Sequence, residues 1–179
     1  MKQRGFTLVE LVITITIMLI LLTLAAATFA TTQANQRDSE RVSEITTISN
    51  NLETFYKTGI NTSTILGRYP STALLANGAT SIKALLPSID LDSVTAPDAT
   101  SVATSFIPAT NAIQTTAGVL PQPKLSEYVY QPIQSRGAIC TPQTTECLCT
   151  TEAQECRKYI LYYRTENDNL VKKVVSKHQ

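Results

Sequence analysis

An uncharged run of about 20 residues from Leu11 to Ala30 constrains this chain more than any other feature. It has a single carboxylate, Glu10, at its head and the basic pentapeptide Met1-Lys2-Gln3-Arg4-Gly5 upstream. As an α-helix, such a run rises about 30 Å, the thickness of a bilayer's hydrocarbon core. The segment is therefore long enough to cross a membrane. Lys2 and Arg4 keep their end in the cytoplasm, which sends the rest of the chain outside. Glu10 does not suit an inert anchor, because an unpaired carboxylate in apolar surroundings is costly and needs a cation. A secretory signal peptide shares the layout, with Ala25-Ala26-Ala27 imitating its small-residue region, but its apolar core is shorter, about 7–15 residues, and carries no acid. Neither that reading nor a plain anchor gives Glu10 a purpose.

Gly5-Phe6-Thr7-Leu8-Val9-Glu10, taken with the basic leader, resembles the class III signal of type IV pilins and the related pseudopilins. Met1–Gly5 corresponds to the leader, Phe6 to the new N-terminus and Glu10 to the family's acid. The resemblance implies that a prepilin peptidase cuts between Gly5 and Phe6 on the cytoplasmic face and that the Phe6 amine is methylated. It also implies that Glu10 pairs with the Phe6 amine of a neighbouring subunit during filament assembly. The physics agrees, since a helix N-terminus favours an anion and a carboxylate beside an ammonium is far cheaper to bury than either alone. Many members carry a helix-disturbing proline in the second half of the apolar stretch, where this chain has Ala27.

Beyond Ala30 the all-round apolar pattern becomes amphipathic without a break. Arg37/Glu40 and Asp38/Arg41 are placed three apart, where opposite charges on a helix can meet. Val42, Ile45, Ile48, Leu52 and Phe55 then form one stripe on a helix that ends before Gly59. Residues 6–58 contain neither Pro nor Gly, and one continuous helix over them would be about 80 Å long. Coiled-coil pairing is the plain alternative for the stripe, over few heptads.

The head opens with turn chemistry at Gly59, Asn61, Gly67 and Pro70, where Gly67-Arg68-Tyr69-Pro70 is similar to the Gly-x-Tyr-Pro that follows the long helix in many pilins. The pattern predicts a short helix over Ser81–Leu86 and a solvated, Ser/Thr-rich loop region from Ser93 to Thr116, with a short strand around Val102–Ile107. Strands are predicted at Leu125–Gln131, Tyr159–Arg164 and Leu170–Val175, the last two joined as a hairpin through Thr165–Asn169. The expected fold is thus α+β: a long N-terminal helix on a small antiparallel sheet of three to four strands, with a disulfide-bonded loop. Its organisation would be a removed leader 1–5, a transmembrane or filament-core half-helix 6–30, an amphipathic half-helix 31–58 and a globular head 59–179.

Cys140, Cys147, Cys149 and Cys156 stand in a symmetrical C-x6-C-x-C-x6-C array, and outside the cytoplasm four such cysteines are expected to make two disulfides that staple a loop poor in apolar side chains. Of the three pairings, the one containing Cys147–Cys149 would close a very tight ring, which leaves two. The rival, a zinc site, lacks the usual ligand spacing, and the single histidine, His178, lies far along the chain. Asp90, Asp92 and Asp168 match no EF-hand pattern and read as solvated loop carboxylates rather than a calcium site. No Ser, Cys or Asp has a context that suggests activation, so the chain reads as a non-enzyme without metal or cofactor.

With 179 residues at a net charge of +1, the chain has no electrostatic mandate for nucleic acid. Arg157, Lys158, Arg164, Lys172, Lys173 and Lys177 bias the C-terminal third positive, but acids are interspersed, and DNA is a minor expectation among partners. The resemblance implies a structural subunit that sits in the cytoplasmic membrane, head outside, and is then polymerised into an extracellular pilus for motility, adhesion or DNA uptake. Its implied partners are identical subunits, minor pilins, the prepilin peptidase, an inner-membrane assembly platform and, before assembly, membrane lipid. The alternatives are a pseudopilin of a type II secretion or competence machine and a secreted domain released by an ordinary signal peptide.

Overall fold

Thr7, in extended backbone, starts the long helix as its N-cap: its hydroxyl oxygen accepts the Glu10 N–H at 3.2 Å, one of the four donors a helix start leaves unpaired. In the computed structural model, which describes residues 7–59, 66–75, 78–134 and 147–178, α1 runs unbroken over Leu8–Thr58. Its 51 residues extend about 75 Å and pass position 27 without interruption. Gly59 ends it at φ 63°, a left-handed conformation that glycine adopts without a Cβ penalty, and its N–H returns to the Phe55 carbonyl at 2.8 Å.

Four strands follow in spatial order: β1 (Phe106–Pro108), β2 (Tyr128–Gln134), β3 (Cys156–Arg164) and β4 (Val171–Val175). β2–β3 and β3–β4 are antiparallel, and the β3–β4 hairpin is the one the turn residues Thr165–Asn169 predict. The expectation of a purely antiparallel sheet is corrected at its edge, where β1 pairs parallel with β2. A parallel neighbour needs a long crossover, and residues 109–127 provide it. The sheet is covered on both faces, which explains why consecutive rather than alternate residues are buried over Tyr128–Ile133 and Tyr159–Tyr162. Tyr128, Tyr130, Tyr159 and Leu161 belong to the core that α1 closes, whereas Val129, Ile160 and Tyr162 pack with Ala109 and Val119 of the crossover.

The segment expected as a solvated loop, Ser93–Thr116, differs from that reading. Val94, Ala96, Val102, Phe106 and Ala109 are buried, and a helical turn, α3 (Val102–Ser105), leads straight into β1. The short helix α2 occupies Ala79–Leu85, close to its predicted range, and buries Ile82 and Leu85. On α1, Ile45, Ile48, Leu52 and Phe55 are buried as the stripe requires, but Val42 is exposed. Arg41 takes the inward position one residue earlier, and the step of about 100° per residue turns Val42 outward.

Candidate assembly site

The apolar half of α1 presents the least covered surface of the molecule. Its most hydrophobic stretch, with a mean hydropathy of 2.6, has none of its residues buried, and Leu8, Val9, Leu11 and the large side chains up to Leu24 are all exposed. Transfer of such side chains out of water is worth roughly 1.5–3 kcal/mol each, so this half-helix demands lipid or other chains around it. Polar atoms in it are already satisfied. Thr14, Thr16, Thr23 and Thr28 donate to the carbonyls of Leu11, Val12, Ile20 and Ala25 at 2.7–2.9 Å. A hydroxyl bonded within its own helix brings no orphan donor into an apolar medium.

Glu10 is exposed in the first turn, where the helix dipole favours an anion. Its N–H is capped by Thr7, and the Thr7 hydroxyl lies 3.4 Å from Glu10 Oε2. Thr7 is the residue that sequence reasoning passed over, although Thr7-Leu8-Val9-Glu10 carries the S/T-x-x-E signature of a capping box. Gly5 and Phe6 lie outside the described residues.

The second half of α1 is held to the head by polar groups that the apolar stripe did not announce. Asp38 accepts the backbone N–H groups of Glu166 and Asn167 at 2.7 and 3.0 Å, capping the β3–β4 turn, while Arg37 reaches Glu166 with two N–H groups at 2.8 and 2.6 Å. Arg41 pairs with Asp38 as its spacing predicts; Arg37 turns to Glu166 and Asp98 instead of Glu40. Further along, Tyr128 Oη donates to the buried carboxyl of Glu44. Glu53, also buried, accepts from Tyr69 at 3.0 Å, Tyr159 at 3.3 Å and the Lys177 N–H at 2.9 Å. Burial raises the pKa values of Tyr69 and Tyr159, so both stay neutral donors. Tyr69 belongs to the Gly67-Arg68-Tyr69-Pro70 motif, whose Pro70 carbonyl accepts Tyr130 Oη at 2.8 Å, so the tetrapeptide ties helix end to sheet.

Cys149 and Cys156 form a disulfide with Cα atoms 5.8 Å apart. Cys147 is disulfide-bonded as well, and Cys140 lies outside the described residues. The Cys149–Cys156 bridge does more than staple a polar loop: both residues are buried in the main core, and their carbonyls accept the N–H groups of Thr72 and Tyr69.

The basic residues of the C-terminal third are mostly engaged internally. Arg157 donates to the Gly67 carbonyl, Arg164 to Pro123, Lys158 and Lys173 to Gln114, and Lys172 pairs with Asp168. His178 stacks on Tyr56 at 4.2 Å, with Nε2 3.6 Å from Glu53. Among the described residues, no group of three or more His, Cys, Asp or Glu is arranged to hold a metal.

Residues 1–26 match the family model of the prokaryotic N-terminal methylation motif. The chain thus carries, at its N-terminus, the class III signal of type IV pilins and pseudopilins, which fits a pilin-like protein. An apolar N-terminal helix behind such a signal fits membrane anchoring. No curated protein and no solved structure matches the chain significantly.

Proposed function

We propose that the protein is a structural subunit of a type IV pilus or closely related filament. The leader is removed between Gly5 and Phe6, the Phe6 amine is methylated, and the chain waits in the cytoplasmic membrane as a single-pass protein with its head outside. Polymerisation with identical subunits then replaces lipid around residues 8–30 by neighbouring helices, and Glu10 meets the Phe6 amine of a neighbour. One observation carries this reading: an exposed apolar half-helix, its hydroxyls internally bonded, opening with an exposed carboxylate at a helix start that Thr7 caps. An inert anchor needs the first part and has no use for the second.

Mass spectrometry of the mature N-terminus, together with electron microscopy of sheared surface material, tests the proposal. Methylated Phe6 in chains recovered from filaments is the expected result. A soluble chain beginning near Thr28 would establish secretion by an ordinary signal peptide instead.

A further inference from the structure

We propose that Glu44, Tyr128 and Arg41 form a proton-operated clamp on the segment Lys124–Tyr128, closed at both ends while the Glu44 carboxyl is neutral and loosened at its Leu125 end when it ionises. Glu44 is 8% exposed and faces β2, where the fully buried Tyr128 donates its hydroxyl to the carboxyl. One turn earlier on α1, Arg41 is completely buried; its Nε donates to the Leu125 carbonyl at 2.9 Å and its Nη1 to Asp38 at 2.9 Å, while its Nη2 is buried without a partner among the described residues. Two side chains from one helical turn therefore hold both ends of the short segment that enters β2. Next to that grip, a buried donor stands idle one turn from a buried carboxyl.

This pattern fits an uncharged Glu44. An ionised carboxylate three residues further along the helix would be the natural acceptor for Nη2, whose unmet hydrogen bond is otherwise costly. Ionisation would draw the guanidinium towards Glu44 and away from the Leu125 carbonyl, while placing a charge where little water reaches. Burial, the largest cause, lifts the Glu44 pKa to about 7; Glu40 adds to the rise, and the Tyr128 hydrogen bond and Arg41 oppose it. Among the surrounding elements, β2 presents Tyr128, the β3–β4 turn places Glu166 3.6 Å from Arg41, and on β3 Tyr159 turns to Ser49 and Glu53 while Tyr163 lies nearer Lys172, Asp38 and Asp168. Asp92, in the 3-10 turn packed on the helix, is exposed.

The direction of the switch follows from the raised pKa. The contribution of Glu44 to stability is fully present below its unfolded value of 4.5 and is lost as pH rises through about 7, so the clamp slackens on the alkaline side. The segment it holds lines an open groove of about 720 Å³, with Asp98, Gln122 and Arg164 on the other walls, and release would reshape that groove.

The test uses the full chain in detergent micelles, with the glutamate carboxyl carbons labelled for NMR and amide exchange followed from pH 5 to 9. Glu44 should titrate near pH 7, and amides from Leu125 to Tyr128 should exchange roughly tenfold faster at pH 8 than at pH 6 after correction for intrinsic rates. Glu44→Gln should keep slow exchange at both values. Titration of Glu44 with the other glutamates, or the same acceleration in Glu44→Gln, would overturn the clamp. Should that variant fail to fold, coincident midpoints for carboxyl and exchange in the wild type support the proposal, and midpoints more than about one pH unit apart refute it.

Discussion

The two halves of α1 are continuous in backbone and opposite in what they bury. From Leu8 to Ala30 large apolar side chains stand exposed and hydroxyls are tied to the helix's own carbonyls. From Thr31 to Thr58 the buried face combines Ile45, Ile48, Leu52 and Phe55 with Arg41, Glu44, Ser49 and Glu53. The first half is thus finished as a surface for lipid or other helices. The second is specific to one partner, the head of its own chain, because every buried charge or carboxyl there meets a group that only this head supplies at that place.

If that division holds, Glu10→Ala has the largest expected effect and acts only through the first half. It should leave membrane insertion, cleavage and the head intact while cutting filament yield to a small fraction, read from sheared pili; unchanged yield would show that Glu10 is dispensable. Gly5→Leu should instead leave uncut precursor in the membrane, and normal filaments from it would count against processing at that bond.

Core truncation in the second half sharpens the contrast. Leu52→Ala should destabilise the head by about 2–5 kcal/mol in thermal or denaturant unfolding of the micelle-bound chain. Leu19→Ala, a similar change on the exposed half, should shift that transition by less than about 0.5 kcal/mol. Equal losses would mean the halves are not separable.

Replacing Cys149 and Cys156 together by Ala should cost about 2–3 kcal/mol for a loop this short, with further loss from the buried site. Intact-mass analysis of unreduced wild type should also show the loss of four hydrogens, and peptide mapping should join Cys140 to Cys147. Four alkylatable thiols would refute this pairing.

Tyr159→Phe should cost about 1–3 kcal/mol, since the Ser49 hydroxyl and Glu53 would each lose a partner. The smallest effect belongs to the exposed turn that Asp38 caps. Hydrogen bonds and charge from Arg37 and from Lys172 lower the pKa values of Glu166 and Asp168, so their support is present above the ordinary carboxylate range and fades as acid protonates them. Amide exchange at Glu166 and Asn167 should rise below about pH 4, with little change in global stability; no change there would mean the turn is held by other contacts.

Much of this was legible along the chain. The helix from Leu8 to Thr58, the hairpin around Thr165–Asn169 and the methylation motif over residues 1–26 rest on signals within a few residues of one another: apolar length, a 3.6-residue period, turn formers and a motif. Burial of Glu44 and Glu53 was not, because their partners Tyr128, Tyr69, Tyr159 and Lys177 lie elsewhere in the sequence and nothing near the two acids marks them as inward. Val42 was misplaced for the same reason, as Arg41 found Leu125 and Glu166 far along the chain and took the inner seat. Thr7 is different: its capping partner, Glu10, lies three residues away, so this contact is local and readable from the sequence.

What the sequence determined by itself was therefore set by local physics: a membrane-length helix, a processing motif, an acid at the helix start and a set of strands. Tertiary structure decided which polar groups became buried, that β1 joins β2 in parallel, that Ser93–Thr116 helps cover the sheet, and that Cys149 closes on Cys156 within the core. These outcomes depend on loop closure and on partners that meet only when the sheet forms against α1. A period or a propensity reports the cost of a local conformation, and it carries no term for a contact that does not yet exist.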